Sequence, residues 1–379
     1  PFVKNPFLNR LQKSALVQRL SSLRITLTCL FLLFVLTLWG TVAQVYQGLY
    51  LAQHKFFYSL FFLAGGFFPF PGAQLVLWVL FVNLFCATMV RFKARWESLG
   101  IWIIHAGLLT YFFAAFVTFH LAEESNLTLM EGQSSNVSSA YHQWELSIWK
   151  DSPITRQVIA FDDTFLKSQK ILTVDEWDLK IVPQVFYSNS QAFRETEATK
   201  IPSINDSGIG VLKPSVWNKE PEKNIPGGIF KVLDKSENQE IGDVLLYGGE
   251  GKPTQILVGD QKYFFQLRRK KYVLPFVLQL KDFRKELHPN TEIARSYQSL
   301  VEIQDRQMNR EVLISMNEPL RYKDFTFYQA SYSIDAMGRE SSTLAVVKNA
   351  GRILPYISAF ITFLGLVVHF FVLGMLRKK

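Results

Sequence analysis

The side chains in this sequence that could support metal chemistry are its six histidines. One of them, His105, lies inside the apolar run Gly100–Leu121, roughly a turn and a half from the end that follows a basic segment. A titratable side chain in a lipid-crossing helix is costly and usually faces the bundle interior. Because neutral imidazole is the commonest metal ligand, His105 indicates a heme ligand or a proton relay. A histidine that only hydrogen-bonds to a neighbouring helix is the alternative.

Two further histidines extend this interpretation. His369 lies about six residues from the end of the run Ile353–Met375, so it is expected at the same depth as His105, about 9 Å inside the membrane. Two imidazoles at equal depth could ligate one heme iron. His120 is expected about 22 Å from His105 along the same helix and about 60° around it. Local packing of His369 and solvation of His120 stay open as alternatives.

The rest of the sequence shows no recognisable catalytic pattern. His54 falls in a loop, and His142 and His288 lie in the polar region without partners at ligand spacing. No Gly-rich phosphate loop, His-Glu-x-x-His motif or Ser/His/Asp signature stands out. Neither cysteine, Cys29 or Cys86, belongs to a C-x-x-C-H motif, so the chain is not itself a c-type cytochrome.

Composition places these histidines in a membrane protein. The chain is 49% hydrophobic and 15% aromatic, yet its mean hydropathy is only +0.10, so a polar region must offset the apolar runs. Residues 56–70 are apolar but too short to cross a bilayer, and we expect them to form an interfacial helix. Four longer runs predict transmembrane helices: Ile25–Val45, Leu75–Val90, Gly100–Leu121 and Ile353–Met375.

Between the third and the fourth span the pattern changes. Acidic residues appear, and short stretches that alternate apolar with polar residues replace the long apolar runs. This pattern predicts a β-rich domain over residues 122–350, a sandwich or barrel in one lobe or two. In the second span, Asn83 is expected to donate a hydrogen bond between helices.

The distribution of basic residues predicts the orientation. The N-terminal segment 1–24, the hairpin 91–98 and the C-terminal tail together carry eleven Lys and Arg against one acid, Glu97. Residues 122–350 carry 28 basic and 31 acidic residues. The positive-inside rule therefore places both termini in the cytoplasm and the β-rich domain outside, in the periplasm of a bacterium whose inner membrane holds the helices. The net charge of +9 follows from this topology and does not indicate nucleic-acid binding.

Several stretches of the sequence resemble the ResB/CcsB family of cytochrome c biogenesis proteins. The order of three spans, an outer β domain and a fourth span is similar, and the likeness is weakest between residues 188 and 260. The stretches that carry the resemblance are Ser21–Leu27, Trp39–Thr41, Ser98–Leu109, Leu274–Phe283, Ser296-Tyr297, Asn317–Tyr322 and Phe325–Tyr332.

The resemblance implies a System II subunit that moves heme (b-type, iron protoporphyrin IX) across the membrane and supports its attachment to apocytochrome c C-x-x-C-H motifs. It implies CcsA (ResC), apocytochrome c and a thiol-reducing thioredoxin-like protein as partners, and a non-catalytic or co-catalytic place in a heme lyase. The family's heme-ligand histidine falls on His105. Arg24, Arg91 and Arg95 could pair with heme propionates or with lipid headgroups. The alternative function is a b-heme-binding anchor or scaffold in a respiratory complex.

Overall fold

The computed structural model describes residues 12–90, 96–151, 156–194, 203–235, 239–291, 294–306 and 308–377. These residues form two compact units. The helical unit comprises the chain up to Glu123 and from Lys348 onward, and the β unit is Glu124–Val347. The predicted fold class is confirmed, since four long apolar helices flank a large, mainly antiparallel β domain inserted between the third and the fourth helix.

Four helices are long and apolar enough to cross a membrane, which makes the chain a multi-pass membrane protein. They begin and end within two residues of the predicted spans. In chain order the helices are α1 (Ala15–Leu20), α2 (Leu23–Gln47), α3 (Leu49–Ala52), α4 (Ala73–Val90), α5 (Leu99–Leu121), α6 (Asp163–Lys167, in the β unit) and α7 (Leu354–Arg377), and the four candidate spans are α2, α4, α5 and α7.

A buried asparagine joins α4 to the first two helices. Asn83 is 3% exposed, and its Nδ2 donates to the carbonyls of Leu20 and Ser22 at the break between α1 and α2. Its Oδ1 accepts from the Thr26 hydroxyl at 2.6 Å. The predicted role of Asn83 as an interhelical donor is therefore confirmed, and its bond to Leu20 provides a donor for a carbonyl at the C-terminal end of α1.

Small residues let α5 and α7 approach closely. A Cβ on Gly100 would overlap the backbone of His369, and a Cβ on Gly107 would overlap Thr362. The Ser358 hydroxyl donates to the Gly107 carbonyl at 2.8 Å. Small residues at the contact and a hydroxyl bond across it are typical of helix pairs in lipid.

Residues 56–70 do not form the predicted interfacial helix, and this prediction was wrong. Gln53–Phe57 form a π-helical turn, and strands β1 (Phe61–Ala64) and β2 (Phe68–Pro71) pair as an antiparallel hairpin. Gly65 and Gly66 have φ of +63° and +85°, a conformation that glycine adopts readily and that a tight hairpin turn needs. The prolines of β2 are tolerated in a two-stranded ribbon but not in a helix interior.

The β unit contains sixteen strands among the described residues. Ten of them form one sheet, whose main path runs β15-β14-β13-β4-β3-β18-β17-β16. A second sheet has the order β11-β10-β7-β6, and β8 pairs with β9. The strands are β3 (Glu123–Met130), β4 (Ser134–Asp151), β5 (Arg156–Asp162), β6 (Leu172–Val174), β7 (Leu179–Tyr187), β8 (Ser190–Arg194), β9 (Ile209–Pro214), β10 (Gly227–Asp234), β11 (Glu240–Tyr247), β12 (Thr254–Val258), β13 (Gln261–Leu287), β14 (Ala294–Asp305), β15 (Met308–Ser315), β16 (Leu320–Tyr322), β17 (Phe325–Ile334) and β18 (Glu340–Lys348).

Two large hydrophobic cores divide the β unit into two lobes. The first core includes Ile148, Phe230 and Phe265, and it lies between the four-stranded sheet and the strands β5, β4, β13 and β12. The second core includes Leu278 and Phe327. Because β13 contributes Phe265 to the first core and Leu278 to the second, this 27-residue strand ties the lobes together. The choice between one lobe and two is thus resolved in favour of two.

Candidate functional site

Helix α5 presents opposite faces to its two neighbours. Gly100 and Gly107 face α7, whereas Phe112 and Phe116 contact rings of α4 at centroid distances of 5.8 and 5.7 Å. At about 100° per residue, His105 falls about 140° from Gly100 and about 20° from both phenylalanines. His105 therefore lies on the face of α5 that is directed at α4.

The hydrogen bond of His105 fixes its tautomer. Its Nδ1 lies 2.8 Å from the carbonyl oxygen of Ile101, one turn earlier in the helix. A carbonyl only accepts, so Nδ1 carries a proton, and in the neutral imidazole Nε2 then keeps the lone pair. The side chain is half-buried, and its ring makes no other hydrogen bond within the described ranges. An imidazole held through Nδ1–H with Nε2 unoccupied is the form that ligates iron, so His105 fits a heme.

His369 does not share this face. Its backbone lies against Gly100, and Gly365 lies against Ile104, so His369 is level with Gly100 and about 7.5 Å along the helix axis from His105. It therefore packs on the side of α5 turned away from His105, and the expected equal depth was wrong. The structure does not bring His105 and His369 together as a pair around one iron. The Nδ1 of His369 is buried without a hydrogen-bond partner among the described residues, and a ligand role for His369 stays a prediction.

His120 lies near the other end of the α4-directed face. Its ring is 4.4 Å from that of Phe116 and 5.0 Å from that of Phe119. The side chain is exposed, and within the described ranges neither ring nitrogen makes a hydrogen bond. Phe112 and Phe116 lie between His120 and His105 along the helix. One continuous helix thus carries two imidazoles on similar faces with aromatic rings between them.

The sequence placed His54 in a loop and did not predict its aromatic stack, whereas the structure places it in the π-helical turn Gln53–Phe57. The Nδ1 of His54 lies 2.9 Å from the Tyr50 carbonyl, and its ring packs between Tyr50 at 4.0 Å and Tyr58 at 5.0 Å. Tyr58 in turn contacts Phe119 of α5 at 5.2 Å. The signal for this stack is the spacing of four residues between Tyr50, His54 and Tyr58, because residues four apart in a helix face each other.

Other candidate ligands contribute little within the described ranges. No group of three or more His, Cys, Asp or Glu side chains there could hold a metal ion. Arg24 lies exposed in the first turn of α2. Arg91 and Arg95 lie outside the described residues, as do the basic residues at the two ends of the chain, Lys4, Arg10, Lys378 and Lys379.

The stretches that carried most of the resemblance build the second lobe. Leu274–Phe283 lies in β13, Asn317–Tyr322 forms a turn with β16, and Phe325–Tyr332 lies in β17. Asp305, at the end of β14, accepts from Lys323 Nζ at 2.6 Å and from the Tyr322 hydroxyl at 2.8 Å. These two hydrogen bonds, that of Lys323 first, hold the pKa of Asp305 below its usual value. The arrangement fastens the turn between β16 and β17 to the end of β14.

Comparison with known proteins finds its match in the same part of the chain, the β unit. Residues 241–338, which run from β11 into the turn after β17, match the model of the ResB-like family. Over 96 residues the chain is 32% identical to Protein NrfI of Wolinella succinogenes, a match that covers 25% of this chain and 10% of that protein. The match therefore spans about a tenth of the relative's length. The resemblance predicted from the sequence is confirmed for this segment.

Proposed function

We infer that this ResB-like chain serves cytochrome c biogenesis as a membrane subunit that takes up heme and passes it on for attachment to apocytochrome c. The observation that carries the proposal is the state of His105, whose Nδ1 is bound to Ile101 and whose Nε2 is available. The similarity over residues 241–338 to the ResB-like family and to Protein NrfI supports a role in cytochrome c biogenesis.

His105 would provide one axial ligand for the iron of the proposed heme. Next to it, Phe112 and Phe116 of α5 and the rings of Trp78 and Phe81 of α4 supply an apolar surface of the kind that a porphyrin contacts. Trp78 and Phe116 are 42% and 44% exposed, so the α4–α5 face stays open to a lipid or to a partner helix. An open face suits a cargo that enters and leaves, and imidazole ligation fixes the orientation and redox state of the iron.

The proposed orientation follows from the charge distribution. Both termini lie in the cytoplasm, heme arrives from that side, and the β unit lies in the periplasm of a bacterium. CcsA (ResC) is the proposed membrane partner, and apocytochrome c and a thiol-reducing thioredoxin-like protein are the proposed partners of the β unit. In this role the chain is a non-catalytic or co-catalytic subunit of the heme lyase.

Heme content of the purified full chain tests the proposal. We expect His105→Ala to lose most of the heme that copurifies with the wild type, both alone and with the membrane partner, because the iron loses its axial ligand. His288→Ala changes an exposed histidine of the β unit and is the matched control. Unchanged heme content in His105→Ala would remove His105 from the ligand role. Normal attachment of c-type heme in a strain that lacks this chain would favour a b-heme anchor instead.

A further inference from the structure

We propose that the β1–β2 hairpin is inserted into one leaflet of the membrane, with β2 directed at the acyl chains and β1 directed at the headgroups. The partner that this surface fits is a phospholipid bilayer. A two-stranded hairpin is unusual in that position, because lipid offers no hydrogen-bond partners to the open edge of a strand. Heme is not involved, so this role goes beyond the proposed function.

The hairpin lies beside a span rather than beyond its end. Phe62 and Phe70 contact Trp39 of α2 at centroid distances of 5.6 and 5.7 Å. Trp39 precedes the end of α2 at Gln47 by eight residues, which is about 12 Å along the helix axis. Lys55 Nζ lies 5.7 Å from the ring centroid of Phe62, and a lysine in a membrane directs its charge to the headgroups. The hairpin is therefore level with the boundary between headgroups and acyl chains.

Large apolar side chains of the hairpin are exposed. Phe61 and Leu63 alternate with Phe62, so they lie on the face turned away from α2, and both are more than half exposed. Phe67, at the turn, is 82% exposed. No Asp, Glu, Lys or Arg occurs from residue 56 to residue 90. Because the hairpin connects two candidate spans, α2 and α4, the lipid that surrounds them also reaches this uncharged surface.

The prolines of β2 remove backbone donors that lipid could not satisfy. The Gly72 N–H donates to the Leu60 carbonyl at 2.8 Å, and hydrogen-bonded positions alternate along an antiparallel pair. In the observed register Pro69 and Pro71 lie at the positions between the bonded ones, so their nitrogens point away from β1. A proline nitrogen carries no hydrogen, and the outer edge of Phe68–Pro71 therefore exposes no N–H group.

The two edges of the hairpin differ in what they need. On β1, Phe61 and Leu63 lie opposite the prolines, so their N–H groups point outward and require water or headgroup oxygens. The contact of Lys55 with Phe62 is also on β1. A protein strand that paired with the edge of β2 would find carbonyls and no donors, which disfavours strand addition there. The acyl chains of a lipid make no such demand.

Spin labelling of the purified full chain in phospholipid vesicles tests the insertion. A nitroxide on Phe67→Cys should collide more often with oxygen, which partitions into lipid, than with a water-soluble nickel chelate. Phe363→Cys, at an exposed position inside α7, is the control for lipid, and Asp260→Cys, exposed in the β unit, is the control for water. Cys29 and Cys86 are both buried, so the background of labelling is low.

The same labels test which strand lies deeper. We expect the ratio of oxygen to nickel collisions to be higher at Phe68→Cys, on β2, than at Phe61→Cys, on β1. Equal ratios or the reverse order would overturn the assignment of the two edges. Leu63→Cys repeats the measurement of insertion at a second exposed position if Phe67→Cys does not fold.

Two outcomes at Phe67→Cys would overturn the insertion. Nickel collisions as frequent as at Asp260→Cys would show that the hairpin stands in water. Rare collisions with both reagents would show that protein, such as a second copy of the chain, covers it. Because the vesicles contain no heme, neither outcome bears on the proposed function.

Discussion

His105 and His54 each donate Nδ1–H to the carbonyl one turn earlier, at 2.8 and 2.9 Å. This bond fixes the tautomer and leaves Nε2 as the coordinating atom. The Nδ1 of His369, in contrast, is buried without a hydrogen-bond partner in the described part of the chain. His369 thus differs from His105 and His54 through a contact that residue type and depth do not reveal.

The carboxylate of Asp305 leads to a prediction about how the stability of the fold depends on pH. Hydrogen bonds from Lys323 and Tyr322 hold the pKa of Asp305 below its unfolded value of about 3.9. A lowered folded-state pKa stabilises the fold above the unfolded pKa, and this stabilisation is lost as the pH falls through the folded-state pKa. We therefore expect Asp305→Asn to lower the Tm of the full chain at pH 7, and the difference from wild type to shrink as the pH falls below about 4.

The control for Asp305 is an ion pair of similar length on the surface. Lys223 and Glu220 are 2.8 Å apart, and both side chains are more than half exposed, so solvent screens their attraction. Glu220→Gln should leave the Tm unchanged across the same pH range. A deficit in Asp305→Asn that stays constant down to pH 3 would show that the charge of Asp305 is not its cause.

At the scale of elements, the α5–α7 pair depends on glycines rather than on apolar side chains. A methyl group at Gly100 would overlap the backbone of His369, and one at Gly107 would overlap Thr362. We expect Gly100→Ala and Gly107→Ala each to lower the stability of the detergent-solubilised chain by about 1–3 kcal/mol, because the helices must move apart. Thermal unfolding followed by circular dichroism measures the loss.

Gly374, also in α7, is the matched control. A Cβ there meets no atom within 4 Å, so Gly374→Ala should be neutral or stabilise the helix by up to about 1 kcal/mol. If all three alanine variants unfold at the same temperature, close packing at Gly100 and Gly107 does not hold the helix pair together.

The elements differ in how far the sequence determined them. The four spans were predictable because each is a long apolar run, and Asn83 was predictable because an amide in lipid needs partners. The hairpin of β1 and β2 was missed because the apolar character of residues 56–70 outweighed its Gly-Gly and proline signals. The helix register was not predictable either, since Gly100, Gly107 and Gly365 set it through contacts that hydropathy does not encode.

At the scale of the whole molecule, most of the specific motifs that predicted the function lie outside the candidate site, and Ser98–Leu109, which contains His105, is the exception. Leu274–Phe283 and Phe325–Tyr332 lie in strands of the second lobe, whose core includes Leu278 and Phe327. The imidazoles lie in the helical unit, where the apolar runs carry shorter stretches of the resemblance, Ser21–Leu27, Trp39–Thr41 and Ser98–Leu109. The motifs therefore indicate the family that the chain resembles. The ring contacts of His54 and the hydrogen bond of His105 could be seen only in the structure.

The last prediction concerns the orientation of the chain in the membrane. The two native cysteines, Cys29 and Cys86, are both buried, so a cysteine introduced elsewhere can be labelled over a low background. Asp260 lies exposed in the turn between β12 and β13, and Lys13 lies exposed before α1. With the β unit outside, a membrane-impermeant maleimide should label Asp260→Cys in spheroplasts and Lys13→Cys only after lysis.

The reverse labelling pattern would invert the topology and with it the proposed direction of heme movement. His105 would then lie nearer the external face. Because heme binding by the detergent-solubilised chain does not depend on orientation, labelling tests the direction of transport separately from the proposed ligand role of His105. Labelling of Asp260→Cys before lysis, together with protection of Lys13→Cys, is the result expected for a subunit that delivers heme outward.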